Sequence, residues 1–412
     1  MKLNLAAALA GVTLPTVLAF TPTRTTFHRS SSITSMQVAS SSSSWSLQED
    51  LTFNPPDTMN DAQISEVACA EAASLMKRVK VPVPEYVSDD KSVGISYIHW
   101  KADETAKRNN KNALPLMLVH GLDSSCLEYR RLGPKLAALG IDTYAVDLLG
   151  WGYTQLDDVK TFSAQAKVDA LAGFWEVVGN NQPVCIAGAS LGGAASIEYA
   201  SASRSKKDGV VQGAIFIDAQ GFIDGIGPMA ALPNFLAKIG IEVLKSEPLR
   251  DSANQMSYYD KEAYATEDAL KVGRYHCLRE GWDDAFLSFM KSGGFSPSKK
   301  VEKIDVPSLI LWGRQDGILD GKEFADKFVE TLPDAELCWV EECGHVPHLE
   351  QPEFTAEKIA SFLRSDKFED VVPAVSTSSS SPFSFGNVGG IAAAGVAAVA
   401  AAGTAVTLIG SN

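Results

Sequence analysis

Ser190 lies at the centre of the segment 188–192, Gly-Ala-Ser-Leu-Gly, which has the pattern G-x-S-x-G. An apolar run precedes this segment, and small residues that can begin a helix follow it. A strand–turn–helix of this kind holds a serine on a sharp turn, with its hydroxyl exposed and its backbone strained. Only small neighbouring side chains leave room for such a turn. The pattern therefore predicts a nucleophilic serine that attacks an acyl carbon.

A serine hydroxyl is a poor nucleophile at its ordinary pKa, so it needs a general base within hydrogen-bond reach. His345 is the expected base, because it follows a strand-like run and a glycine, and a helix is predicted over 353–364. The base in turn needs a carboxylate that holds its tautomer and stabilises the imidazolium. Asp316 is expected in that role, since it follows a strand-like run and leaves room for one helix and one strand before His345.

The oxyanion that forms during attack on a carbonyl needs N–H donors aimed at it beforehand. Leu191, directly after the nucleophile, is expected to donate one backbone N–H. Leu122 is expected to donate the other, because it follows a strand-like run and the pair His120-Gly121. The side chains of both leucines are expected to line the pocket.

The apolar runs predict the elements that position these residues. The predicted strands are 93–101, 114–119, 142–148, 183–188, 213–218 and 308–312, and the predicted helices before the nucleophile are 127–139 and 163–178. This alternation indicates a mostly parallel sheet with helices on both faces. Residues 61–79 have apolar residues at helical spacing and are predicted to form a helix before the core.

With these motifs the chain resembles the α/β-hydrolase superfamily over about residues 90–366, and in particular its serine esterase and lipase-like branch with a helical cap. The order Ser190, Asp316, His345 is the order of that superfamily. The segment 120–131 resembles plant and algal plastid members. The resemblance implies an α/β-hydrolase fold, with an eight-stranded, mostly parallel sheet. Some members carry the acid at the position of Asp218, which is therefore the alternative to Asp316.

Residues 222–305 interrupt the alternation of strands and helices. Some 84 residues are too many for one crossover helix, and connections of this length are usually functional. In the resembled family a helical cap is inserted at this point. The apolar and aromatic residues of the segment would suit a cover over an acyl or isoprenoid chain, and packing of the cap onto the core is the alternative for each of them.

Four side chains are candidates for the substrate pocket: His120, Asp123, His276 and Trp282. Each has a structural alternative. His120 would brace its loop, Asp123 would stabilise a turn, and the two cap residues would be buried in packing.

The sequence also limits the classes of partner. The formal net charge is −14 over 412 residues, which argues against nucleic acid and against electrostatic docking on anionic lipid. No metal-ligand cluster or phosphate-binding loop is visible, so no metal and no cofactor is expected. No protein partner can be inferred. The six cysteines are predicted to be buried free thiols, with a Cys338–Cys343 disulfide as the alternative.

Both ends of the chain differ from the predicted hydrolase domain at 49–371. Residues 1–19 are typical of a secretory signal peptide, and residues 20–48 are rich in Ser and Thr and lack acids, as transit peptides do. Together they resemble the bipartite presequence of algae with secondary plastids. A plastid location is therefore expected, with secretion or a lipid anchor as the alternatives.

Residues 372–387 form a predicted Ser/Pro-rich linker, and residues 388–410 are uncharged and rich in Ala, Gly and Val. At about 1.5 Å per residue this last segment could cross a hydrocarbon core of about 30 Å. A C-terminal membrane helix is expected, with a cleaved lipid-anchor signal or a disordered tail as the alternatives.

Related dehalogenases and epoxide hydrolases carry aspartate at the nucleophile turn, whereas this chain carries serine. The expected function is cleavage of a carboxylic ester of a hydrophobic substrate, an acyl lipid or a prenyl (phytyl-type) ester, through an acyl-enzyme. One alternative is an acyltransferase that uses the same triad, for which His345 and Glu350 have a family-like spacing, although Glu replaces Asp. The other is a ligand-binding protein of this fold.

Overall fold

The computed structural model describes residues 46–108, 113–203, 209–369 and 371. The predicted segments 1–19, 372–387 and 388–410, and nearly all of 20–48, lie outside these residues. Within the described ranges, no helix is both long enough and apolar enough to cross a bilayer.

Eight strands form one sheet in the order β1-β2-β4-β3-β5-β6-β7-β8. Their bounds are β1 Met76–Pro82, β2 Ser92–Trp100, β3 Leu116–Val119, β4 Thr143–Val146, β5 Val184–Ala189, β6 Val211–Ile217, β7 Ser308–Gly313 and β8 Ala335–Val340. The pairs β1–β2 and β2–β4 are antiparallel, and the other neighbours are parallel. The prediction of an eight-stranded, mostly parallel sheet is confirmed.

The helices around the sheet are α1 Val67–Ser74, α2 Glu104–Arg108, α3 Gly133–Ala138, α4 Ala164–Val178, α5 Leu191–Ser203, α11 Gly321–Thr331, α12 Pro347–Glu350 and α13 Pro352–Leu363. Between β6 and β7 lie α6 Asn234–Lys245, α7 Glu247–Ser257, α8 Lys261–Tyr264, α9 Glu267–Tyr275 and α10 Trp282–Lys291. These five helices occupy the predicted cap segment, 222–305, and are called the cap below.

The sheet is buried on both faces. Every residue of β3 and β5 is buried, as expected for parallel strands that helices cover on two sides. One apolar cluster includes Phe174 of α4 and Phe328 of α11 together with much of the cap. The other cluster includes Leu136 of α3 and Ile359 of α13. The active-site loops leave this sheet at the carboxyl ends of its parallel strands.

The predicted helix over 61–79 is right only for α1, because residues 61–66 are turn and coil and residues 76–82 form β1. Met76, Val79 and Val81 are buried, and the strand pairs with β2 at the sheet edge. The predicted helix at 127–139 is also divided. It forms a 3₁₀ turn at Cys126–Tyr129 and then α3, which has Pro134 in its first turn, where no intrahelical N–H is needed.

The six cysteines are free, and all except the half-buried Cys338 are buried. The alternative disulfide between Cys338 and Cys343 is therefore not formed. Burial raises the pKa of the Cys69 thiol to about 11 and that of Cys126 well above its ordinary value. Both thiols stay protonated at neutral pH and act as small apolar side chains.

Candidate active site

Ser190 lies on the turn between β5 and α5, as its sequence pattern predicts. Its φ of +50° is left-handed, a strained conformation for a residue with a Cβ. Neighbouring backbone holds it there: its N–H donates to the Ile217 carbonyl at 3.0 Å, and its own carbonyl accepts from Gly193 at 2.9 Å and Gln220 at 2.8 Å. These bonds fix the nucleophile in a conformation that the chain would otherwise avoid.

The small residues around Ser190 are required by close backbone contacts. A Cβ on Gly188 would lie 2.3 Å from the Gly192 carbonyl oxygen. A Cβ on Gly192 would lie 2.2 Å from the carbonyl oxygen of Val119, the last residue of β3. The turn can therefore approach the loop after β3 only with glycine at both positions.

His345 and Asp316 form the expected pair. The Nδ1 of His345 lies 2.8 Å from Oδ2 of Asp316, and both side chains are buried. The other oxygen of Asp316 accepts the backbone N–H of Ile318 at 2.7 Å and of Leu319 at 3.0 Å. The carboxylate is thereby fixed in the orientation that holds the imidazole.

His345 and Ser190 line the same cavity. Within the described residues no hydrogen bond joins the Ser190 hydroxyl to the imidazole of His345. Such contacts between nucleophile and base often tighten only when substrate binds. The shared cavity and the fixed His345–Asp316 pair are what the structure provides before that step.

Asp218, the alternative acid, is fully buried at the end of β6. One oxygen accepts the backbone N–H of Gly313 at 2.9 Å. Burial, reinforced by the negative charge of Asp316, raises the pKa of Asp218 well above its ordinary value. The imidazole of His345 binds Asp316 at 2.8 Å, whereas Asp218 binds the Gly313 backbone, so the structure favours Asp316 as the acid partner of His345.

The expected oxyanion donors are Leu122 and Leu191. The side chain of Leu122 lines the cavity, as expected, whereas that of Leu191 is buried in the apolar core and does not line it. Leu191 is the first residue of α5, so its N–H lies at the positive end of that helix. A Cβ on Gly121 would lie 3.4 Å from the Cβ of Ser190, so the loop that carries Leu122 is packed against the nucleophile. In the described part of the chain, neither leucine N–H donates a hydrogen bond to another protein group.

Glu128 supports this loop and was not identified from the sequence. Its Oε2 accepts the N–H of Gly121 at 3.1 Å, and its Oε1 lies 2.9 Å from Nε2 of the buried His348. Burial raises the pKa of Glu128, but the contact with His348 outweighs it and lowers that pKa to about 2. A charged carboxylate therefore fixes the residue before Leu122. No pattern in the segment 120–131 distinguishes Glu128 from a surface residue.

Of the four pocket candidates, only Asp123 lines the cavity. His120 is buried beneath the loop, where its Nε2 accepts the Leu148 N–H at 3.0 Å. The other two face Asp123: the Nε2 of His276 lies 3.0 Å from the Asp123 carbonyl oxygen, and the indole N–H of Trp282 donates to Oδ1 at 2.8 Å. The expectation that His120, His276 and Trp282 line the pocket is therefore not met.

The cavity beside Ser190 has a volume of about 270 Å³. Much of its wall is aliphatic, with side chains from the cap and from the loops that carry Asp316 and His345. The aliphatic side chains are Leu244, Leu249, Leu270, Val272, Ile318 and Leu349. An ester carbonyl placed at Ser190 would thus have an apolar space beside it.

Comparison with known proteins agrees with this geometry. Residues 116–358 match the family described as the alpha/beta hydrolase family. The chain is 32% identical to the alpha/beta hydrolase domain-containing protein VTE7 of Arabidopsis thaliana over 248 residues, which are 60% of this chain and 73% of that protein. It is 24% identical to lipase 3 of a Moraxella strain, covering 62% of this chain and 79% of the lipase.

Solved structures show the same fold. A thermophilic esterase from Thermogutta terrifontis superposes with a TM-score of 0.55 at 19% identity, covering 70% of this chain and 98% of the esterase. A membrane phospholipase A described as a bacterial virulence factor superposes with a TM-score of 0.56 at 19% identity, covering 74% of this chain and 92% of the phospholipase.

Proposed function

The chain belongs to the alpha/beta hydrolase family, and on that premise we propose that it is a serine hydrolase that cleaves a carboxylic ester of a hydrophobic substrate. The observation that carries this proposal is the arrangement around one apolar cavity. Ser190 lies there on its strained turn, and His345 lies there bound to Asp316 at 2.8 Å. Relatives named as lipases support an ester as the substrate.

In the proposed reaction the Ser190 oxygen attacks the ester carbonyl while Nε2 of His345 takes the hydroxyl proton. Asp316 keeps the proton on Nδ1 and stabilises the imidazolium. The N–H groups of Leu122 and Leu191 bind the oxyanion. The tetrahedral intermediate then expels the alcohol, which receives the proton from His345. Water activated by the same histidine attacks the acyl-enzyme, releases the acid and restores the Ser190 hydroxyl.

The cavity supports a particular kind of substrate. A volume of about 270 Å³ is near the lower limit of ligand pockets, which is about 300 Å³. Such a space fits one apolar arm of an ester rather than a whole lipid or pigment. We propose an acyl lipid or a prenyl-type ester, with one chain beneath the cap and the remainder outside it.

The geometry of Glu350 gives no support to the acyltransferase alternative. Its carboxylate is buried and accepts the backbone N–H groups of Gly344 at 2.7 Å, Asp260 at 2.7 Å and Tyr259 at 3.2 Å. These bonds hold the residue before His345 and tie the cap to that loop. The spacing between His345 and Glu350 is explained by this structural role.

The test compares full-length wild type with Ser190→Ala on a series of p-nitrophenyl esters and on a plastid lipid and pigment extract analysed by mass spectrometry. Ser196→Ala is a matched control, since Ser196 lies six positions further along the chain, in α5, and its buried hydroxyl has no hydrogen-bond partner among the described residues. We expect wild type and Ser196→Ala to release acid or alcohol and Ser190→Ala to release none. Equal turnover by Ser190→Ala would contradict the proposal.

We also propose a plastid location, on the composition of residues 1–48, and membrane attachment, on that of residues 388–410. A fluorescent protein fused after residue 48 would report the first. Carbonate extraction of membranes, with and without residues 372–412, would report the second. Secretion of the fluorescent reporter would contradict the plastid location. Equal extraction of the chain with and without residues 372–412 would contradict membrane attachment by the tail.

A further inference from the structure

Asp123, directly after the oxyanion donor Leu122, has an unusual backbone conformation. Its φ is +48°, in the left-handed region that residues with a Cβ rarely adopt, although aspartate tolerates it better than most. The side chain is buried, with only 3% of its surface exposed. A strained backbone with a buried carboxylate requires neighbours that hold both.

The cap supplies those neighbours. The indole N–H of Trp282 donates to Oδ1 at 2.8 Å, and the guanidinium of Arg250 pairs with Oδ2. The carbonyl oxygen accepts from Nε2 of His276 at 3.0 Å and from Nη1 of Arg250 at 3.4 Å. In the described part of the chain, every donor to Asp123 is a cap residue, 127 to 159 positions away.

The charge of the Asp123 carboxylate is compensated by Arg250. Asp123, His276 and Cys277 offer ligand atoms within 4.8 Å of one another, but the guanidinium of Arg250 already neutralises the carboxylate. Arg250 is itself held by the cap, since its Nε donates to the Leu244 carbonyl at 2.9 Å and its Nη1 to the Gly273 carbonyl at 3.3 Å. The cation is therefore a fixed part of the cap, on helix α7.

The same helix also contacts the loop that carries the base. The carbonyl of Ser257, the last residue of α7, accepts the backbone N–H of His345 at 2.7 Å. One cap helix thus binds the oxyanion loop through Arg250 and the histidine loop through Ser257. A shift of α7 would displace both loops relative to Ser190.

We propose that Asp123 and Arg250 are positioning residues that hold the Leu122 N–H in the oxyanion hole, so that the hole is aligned only while α7 is docked on the core. This inference rests on the proposed function and assigns a role to a pair outside the triad. The charge pair acts through the backbone: Arg250 fixes Asp123, and the left-handed turn at Asp123 fixes the peptide between Leu122 and Asp123. Because that peptide shares the Cα of Leu122 with the Gly121–Leu122 peptide, it limits how the Leu122 N–H can rotate.

The test measures kcat and KM of the full chain on p-nitrophenyl butyrate, per active site titrated with a fluorophosphonate. We expect Asp123→Asn to lower kcat by about 10²-fold, the loss typical of a missing oxyanion donor, with KM within about twofold of wild type. Arg250→Met should match it, and Arg250→Lys, which keeps the charge, should recover most of the activity. Asp284→Asn is the control, because Asp284 lies on the cap in an exposed pair with Lys238.

The double variant Asp123→Asn/Arg250→Met separates positioning from simple stabilisation. Removing one charge leaves the other buried and unpaired, whereas removing both does not. We therefore expect its melting temperature to recover while kcat stays about 10²-fold low. Recovery of kcat together with the melting temperature would overturn the proposal, as would a wild-type kcat for Asp123→Asn.

The fluorophosphonate reaction distinguishes the two levels of failure. If wild type reacts at Ser190 but Asp123→Asn reacts as fast, only the positioning role is overturned. If wild type neither reacts nor turns over any ester, the proposed function fails, and the positioning role fails with it.

Discussion

Asp218 and Asp316 follow neighbouring parallel strands, and one oxygen from each lies within 4.8 Å of the other and of a ring nitrogen of His345. Only Asp316 binds the imidazole, at 2.8 Å. Burial and the negative charge of Asp316 both raise the pKa of Asp218. Two adjacent acids thus have two different environments.

This difference predicts opposite results for the same chemical substitution. Asp316→Asn should lower kcat by about 10⁴-fold, because an amide can neither hold the tautomer of His345 nor stabilise its cation. Asp218→Asn should stay within about threefold of wild type, because Asp218 does not hold the imidazole and an amide oxygen there can still accept from Gly313. Steady-state rates on one activated ester check both. The reverse order would make Asp218 the acid of the triad.

A second prediction concerns the pH dependence of stability. Burial lowers the pKa of His276 to about 4, below the ordinary value of 6.5. Between those values the unfolded chain binds a proton that the folded protein does not, so the free energy of unfolding should fall as pH falls from about 6.5 to 4. The full loss amounts to about 3 kcal/mol.

Urea unfolding of wild type and His276→Asn at pH 7, 6, 5 and 4.5 measures this contribution. Asparagine keeps a donor for the Asp123 carbonyl but does not titrate. We expect the wild type to lose more free energy of unfolding than the variant as the pH falls from 7 to 4.5. A constant difference at all four pH values would show that His276 does not titrate as its burial implies.

The nucleophile turn gives a third prediction. Gly192→Ala should lower both the melting temperature and kcat, the latter at least about tenfold, because its Cβ would push the loop after β3 away from Ser190. Gly240→Ala in α6 is the matched control. No atom of the described residues lies within 4 Å of a Cβ at Gly240, and alanine favours a helix over glycine by up to about 1 kcal/mol. Equal melting temperatures of the two variants would show that the approach of the Val119 carbonyl oxygen to Gly192 does not require glycine.

The cavity wall gives a fourth. Gly273 in α9 lines the cavity, and in the part of the chain that the structure describes no atom lies within 4 Å of a Cβ at this position. Gly273→Leu should therefore reduce the space for the apolar arm of the substrate. We expect kcat/KM for long-chain p-nitrophenyl esters to fall by about tenfold and that for the acetate to change little. A uniform loss across chain lengths would indicate a general disturbance instead.

The sequence was sufficient for the features that short-range patterns encode. The small residues of 188–192 are enough to identify the turn at Ser190, and the strand-like runs before Asp316 and His345 place both at the carboxyl edge of a parallel sheet. That edge brings residues of distant sequence position together, and the Asp316–His345 contact follows from it.

The predictions that were wrong, and the residue that was missed, concern features that depend on partners distant in the sequence. The strand β1 has a pattern compatible with a helix, and its pairing with β2 decides the outcome. The candidates His276 and Trp282 face Asp123 across 153 and 159 positions, which no local pattern encodes. Glu128 similarly acquires its role only when Gly121 and His348 meet it in the fold.

The contacts of Asp123 bear on how this alpha/beta hydrolase scaffold can be recombined. The cap is one continuous insertion between β6 and β7, and such insertions invite exchange between relatives as a cassette. Here the cap carries Arg250 and Trp282, which pair with and donate to the carboxylate of Asp123 in the loop after β3. A chimera with a foreign cap would retain a buried, orphaned Asp123, so a successful graft must transfer the loop at 120–131 together with the cap.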